Sequence, residues 1–145
     1  MSKPIYVLSG PNLNMLGKRE PEIYGSQTLD DIHGLLKAKA AQTKIDLNCL
    51  QSNHEGELVD YIQEAGDKAS GLIINAGALT HTSVALADAI KAIDIPVIEV
   101  HMSNVYQREE FRHHSYLSPV VIGVICGFGS QSYELALDFL LKSQA

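Results

Sequence analysis

Gly71-Leu72-Ile73-Ile74, running directly into Asn75-Ala76-Gly77-Ala78, is the stretch that decides the fold. Its first four residues carry no polar side chain. They read as a short strand buried on both sides, as happens when helices cover both faces of a parallel sheet. Upstream, Ile5-Tyr6-Val7-Leu8 reads as a first strand. Thr28 then caps a helix whose apolar residues Ile32, Leu35, Leu36 and Ala40 keep helical spacing. Ile45 to Leu50 follows as a second strand, and Leu58, Tyr61, Ile62 and Ala65 mark a second helix. Downstream, a helix from about Thr82 to Ile93 leads to a fourth strand, Val97 to Val100, announced by Pro96. Val120 to Ile125 gives a fifth strand, and an apolar helix from about Ser130 to Leu141 closes the chain. This alternation predicts an α/β domain spanning residues 1–145, a doubly wound parallel sheet with right-handed crossovers. The expected strand order is the flavodoxin-like 2-1-3-4-5. Ligands of such sheets bind beyond the carboxyl ends of the strands, where strand order reverses.

Composition narrows the function classes. Hydrophobic content of 46% with 19% charged residues argues against disorder. No apolar run approaches the ~20 residues of a membrane helix. Met1-Ser2-Lys3-Pro4 runs straight into the first strand, so no signal peptide is expected. Cys49 and Cys126 fall in apolar strand-like runs without CxxC spacing, and read as buried thiols of a reducing, cytoplasmic compartment. A net charge of -6 with no basic patch disfavours nucleic acid and anionic membranes as partners. Yet the three arginines, Arg19, Arg108 and Arg112, all fall in predicted loops. Their planar forks suit bidentate binding of carboxylate or phosphate, which points to a small anion as ligand.

The segments after strands one, three and four carry the chemistry. After strand one, Ser9-Gly10-Pro11-Asn12-Leu13-Asn14-Met15-Leu16-Gly17 continues through Lys18-Arg19-Glu20 to Tyr24-Gly25. Roughly eighteen residues separate strand from helix, far beyond the usual ~2–6, which fits a lid or binding loop. After strand three, Asn75 and His81 bracket a helix start whose cap is Thr80 or Thr82. After strand four, Glu99 and His101 stand two apart on a strand and leave the same face. A carboxylate beside an imidazole fixes its orientation and stabilises its protonated form, as a general acid requires. Arg108 and Arg112 are four apart, on one side of a short helical turn. His33 and His54 have no evident partner, and His113-His114 reads as a solvated pair. The six histidines form neither HxH nor HxxxH, so no metal is expected. A nucleotide- or flavin-binding module is the rival reading, but GxGxxG and P-loop patterns do not follow strand one.

Taken together these runs resemble the type II 3-dehydroquinate dehydratases. The resemblance rests on Gly10-Pro11-Asn12-Leu13-Asn14, Leu16-Gly17, Arg19 and Tyr24-Gly25. It extends through Gln51-Ser52-Asn53-His54-Glu55-Gly56-Glu57, Asn75-Ala76-Gly77-Ala78 and Glu99-Val100-His101-Met102-Ser103-Asn104. Arg108-Glu109-Glu110-Phe111-Arg112-His113 and Gly127-Phe128-Gly129 complete it. It implies a cofactor-free anti elimination of water from 3-dehydroquinate through an enolate, the third step of the shikimate pathway. It also implies a homododecamer built from trimers. Carried to matching positions, Tyr24 is the base with Arg19 beside it, and Asn12 holds a water on the enolate oxygen. His101, oriented by Glu99, protonates the departing hydroxyl. Asn75, His81, Met102 and Ser103, and Arg112 bind the substrate's hydroxyls and carboxylate. Asp88 reaches a neighbouring subunit's site. Its outward position is also legible locally, because Leu86 and Ile90 mark the buried side of its helix. A phenol is ordinarily a poor base near neutral pH, with a pKa of about 10, and an adjacent guanidinium favours the phenolate.

Overall fold

The computed structural model describes residues 2–18, 22 and 26–144, so Arg19 and Tyr24 lie outside the described residues. Five strands form one parallel sheet: β1 (Ile5–Ser9), β2 (Leu47–Gln51), β3 (Gly71–Asn75), β4 (Val97–His101) and β5 (Gly123–Cys126). Their order is β2-β1-β3-β4-β5, as the alternation predicts. Among the described residues, α1 (Leu29–Ala41), α2 (Glu55–Lys68) and α3 (Val84–Lys91) link the first four strands in turn, 3₁₀ turns link β4 to β5, and α4 (Gln131–Ser143) follows β5.

The core divides at the sheet, and strand alternation decides which side chain goes where. Ile5, Val7, Ile73, Ile98 and Val100 meet α1 and α4 on one face, including Ile32, Leu36, Leu137 and Leu140. Tyr6, Leu8, Leu72 and Ile74 meet α2 and α3 on the other, against Leu58, Ile62, Leu86 and Ile90. Every residue of β1, β3 and β4 is buried, because helices cover both faces of these central strands. Emptying a buried leucine or isoleucine of these strands to alanine costs roughly 2–5 kcal/mol.

The boundaries move for identifiable reasons. The cap of α1 is as expected: Thr28 accepts from the Asp31 amide, and Asp31 accepts from the Thr28 amide, each at 3.1 Å. Strand β2 starts later than Ile45, because Lys44 takes a left-handed φ of 62° and the Ile45 amide still bonds to Ala40. The helix expected from Thr82 is shorter. A 3₁₀ turn over Gly77–His81 precedes it, and the cap is Ser83, which accepts from the Leu86 amide at 2.9 Å. Thr80 and Thr82 are therefore not caps. Strand β5 begins at Gly123 rather than Val120, since Ser118–Val120 form a 3₁₀ turn with Pro119 in its first positions. Cys49 and Cys126 are free but only partly buried, because they stand on the two edge strands. Burial still raises the Cys49 thiol to about 11.

Candidate active site

Strands β1, β3 and β4 end side by side, and the segments leaving them enclose a cleft at the carboxyl edge of the sheet. Two glycines let these segments approach. A Cβ on Gly10 would sit 2.4 Å from the Ala76 carbonyl oxygen; one on Gly77, whose φ is +61°, would sit 3.0 Å from that of Pro11. Asn12 also takes a left-handed φ, 71°, a conformation that asparagine tolerates. It is held by the Asn53 side chain, which accepts from its amide at 3.0 Å. Gln51 braces the same loop by donating to the Gly10 carbonyl at 3.1 Å and to Asn53 at 3.2 Å. The Gln51-to-Asn53 run thus shapes the loop after β1.

Asn12, Asn75, His81, His101, Met102, Ser103 and Arg112 all line this cleft, so residues far apart in the chain converge as expected. Arg108, read in the sequence as one of three anion-binding arginines but given no specific role, lines it as well. Asp88 does not: it is exposed on α3, while Leu86 and Ile90 are buried. The two arginines do not share one helical turn: Arg108 is the extended residue that caps the 3₁₀ turn Val105–Gln107, and Arg112 ends a second turn, Glu110–Arg112. Glu109 stands between them, 3.2 Å from Arg112 Nε and 3.8 Å from Arg108 Nε. Arg108 also donates to Ser103 Oγ at 3.3 Å. Two guanidiniums at one mouth give an anionic substrate a cationic approach.

Behind His101 lies Glu99, wholly buried, with its Oε2 2.5 Å from His101 Nε2. Thr80 and Ser115 donate to the same oxygen at 2.6 and 2.8 Å, and Ser118 donates to Oε1 at 2.8 Å. Burial alone would raise this carboxyl. Hydrogen bonds from His101, Thr80 and Ser115 overcome it and hold the group at about 2. Glu99 is therefore a fixed anion, and His101 must carry a proton on Nε2 to face it. The ring's other nitrogen, Nδ1, is left for the cleft. Sequence reading missed all three hydroxyl donors. Ser115 and Ser118 follow a His-His pair that reads as solvated loop, and Thr80 reads as a helix cap.

The depressed Glu99 carboxyl makes the stability of the fold depend on pH. Because its folded-state pKa lies below the ordinary 4.5, ionised Glu99 stabilises the fold above that pH. That contribution is lost as pH falls from 4.5 through about 2. Urea unfolding between about pH 5 and pH 2.5 should show Glu99→Gln losing less stability on acidification than wild type. Parallel acid limbs would refute the ionised assignment.

The His81 ring stacks on His101 with centroids 6.4 Å apart and planes at 15°. Its Nδ1 lies 2.8 Å from the His114 carbonyl, which only accepts, so Nδ1 carries the proton there. Burial lowers the His81 pKa, and the neighbouring His101 and Arg112 push it the same way. A neutral His81 therefore offers Nε2 to the cleft as an acceptor, suited to a substrate hydroxyl. Among the described residues, no group of three or more His, Cys, Asp or Glu side chains is placed to hold a metal.

Comparison with known proteins agrees along almost the whole chain. The family described as dehydroquinase class II matches residues 3–141. The chain is 61% identical over 140 residues to the 3-dehydroquinate dehydratase of Rhizobium johnstonii, covering 97% of each chain. It is 61% identical over 144 residues to that of Azorhizobium caulinodans, covering 99% of this chain and 97% of the other. Its fold superimposes on the crystal structure of a type II dehydroquinase from Propionibacterium acnes with a TM-score of 0.94, at 44% identity over 98% of each chain.

Proposed function

The chain belongs to the class II dehydroquinase family, and from that premise we propose how its residues divide the reaction. The activity is that of a 3-dehydroquinate dehydratase, a hydro-lyase, and the nucleotide- or flavin-binding alternative is not favoured. Tyr24, activated by Arg19, takes the proton beside the ketone to form an enolate. A water held by Asn12 stabilises the enolate oxygen. The enolate then collapses, the carbon–oxygen bond breaks, and His101, oriented by Glu99, gives a proton to the departing hydroxyl, releasing water and 3-dehydroshikimate. Asn75, His81, Met102 and Ser103, and Arg112 bind the substrate's hydroxyls and carboxylate. Acid and base on opposite ring faces give anti elimination.

The single observation that carries this reading is the Glu99–His101 pair at the end of β4, facing a cleft with two arginines. The roles of Tyr24 and Arg19 rest on their place in the family's opening motif. The test adds 3-dehydroquinate and follows the ultraviolet absorbance of the conjugated enone, with sodium borohydride included in a parallel incubation. Product should form, and the borohydride-treated protein should keep its activity and its mass, because no imine forms on a lysine. Lys18, exposed on the loop after β1, is the lysine nearest the site in sequence. A covalent adduct on any lysine would replace the enolate route with a Schiff base.

We further propose a homododecamer assembled from trimers in the cytoplasm, with Asp88 completing a neighbour's site. Ile122, Val124 and Phe128 support assembly, since they stay exposed on and beside the edge strand β5. The two free thiols suit a reducing compartment. Sedimentation velocity should show a species far heavier than the 15.8 kDa chain. A fully active monomer would defeat both the assembly and the role of Asp88.

A further inference from the structure

We propose that Tyr133, in the first turn of α4, is a positioning residue for the substrate contact of Asn75. Ser9 and Asn75 are register partners at the carboxyl ends of β1 and β3. The Tyr133 hydroxyl lies 3.0 Å from Ser9 Oγ and accepts from Asn75 Nδ2 at 3.0 Å. All three residues are buried, and Tyr133 and Ser9 are fully so. They form a polar triad inside the face otherwise filled by Ile5, Val7, Ile73, Leu137 and Leu140. Burying polar groups in such a core is unfavourable unless every partner is present, and an apolar trio would serve packing as well.

The geometry shows what the triad does. An asparagine amide has two N–H donors and two acceptor sites. Asn75 spends one donor on Tyr133 and one acceptor site on the Gly77 amide, 3.2 Å away. These two bonds set the amide's rotation, leaving one N–H and one lone pair for the cleft that Asn75 lines. Tyr133 itself cannot serve as a base there. Burial drives its phenol up to about 12, although bonds from Ser9 and Asn75 partly offset this. Its hydroxyl acts through Asn75, from a helix that lines none of the cleft.

The inference rests on Asn75 touching substrate, and the experiment separates the two claims. Tyr133→Phe keeps the ring in the core and deletes only the hydroxyl. The KM for 3-dehydroquinate should rise by about two- to tenfold, the effect of one net hydrogen bond, with kcat nearly unchanged. Asn75→Ala should raise KM at least as much. The double variant Tyr133→Phe/Asn75→Ala should match Asn75→Ala alone, because the hydroxyl then has nothing left to position. Ser9→Ala, which leaves the Tyr133–Asn75 bond in place, should lower thermal stability without moving KM. Additive KM effects, or a folded Tyr133→Phe with wild-type KM, would overturn the proposal. A Tyr133→Phe chain that did not fold would overturn it too, by making the hydroxyl a stability element. If Asn75→Ala kept wild-type KM, the substrate contact itself would fall, and the positioning role with it. If Asn75→Ala were impaired and Tyr133→Phe were not, the positioning role alone would fall.

Discussion

His101→Ala is expected to lower kcat by the ~10²–10⁴ typical of a lost general acid, while KM for 3-dehydroquinate changes only a few-fold. Among the described residues bonded to Glu99, the His101 ring is the one that lines the cleft. The carboxylate's other partners are Thr80, Ser115 and Ser118, which donate inward to Glu99 and not to substrate. Removing the imidazole therefore strands a buried anion and leaves the departing hydroxyl to exit unprotonated. Binding should survive, because Arg112, Asn75 and His81 reach the cleft from other segments. Steady-state kinetics decides it: a variant keeping more than about a tenth of wild-type kcat would remove His101 from the acid role.

Tyr24→Phe should be at least as damaging to turnover, and for the opposite proton. Phenylalanine keeps the aromatic ring but has no oxygen to accept the proton next to the ketone. Only the transition state loses an interaction, so kcat and kcat/KM should fall together by ~10²–10⁴ or more while binding stays within a modest factor. Arg19→Ala should reproduce part of the defect at neutral pH and recover towards high pH. On the proposed roles, a phenol that loses the Arg19 cation ionises only as pH approaches its ordinary value of about 10. Single-turnover measurements with Tyr24→Phe test the assignment. More than a few per cent of wild-type chemistry would exclude this phenol as base.

Much of the molecule is legible in the sequence because its signals are local. Helical spacing in Ile32, Leu36 and Ala40 and the unbroken Gly71–Ile74 run reflect burial against one neighbour layer or two. The Glu99–His101 pair is legible for the same reason: two residues apart on a strand means one shared face whatever the rest of the chain does. Element ends are less legible. The Ser83 cap and the 3₁₀ turn before it depend on Thr80 being drawn away to Glu99, a contact between different segments.

What the sequence by itself determined is the alternation of strands and helices and the shared face of the Glu99–His101 dyad, since periodicity and short-range spacing settle these. Which polar side chains meet around the dyad, and which meet behind Asn75, was decided only by the tertiary structure. Ser118 lies 19 residues from Glu99, Asn75 lies 58 from Tyr133, and Ser9 lies 124 from Tyr133. Pattern along a chain records how often a residue faces the core. It does not record which distant residue waits there, because that pairing exists only once helices have packed across the sheet and closed those long loops.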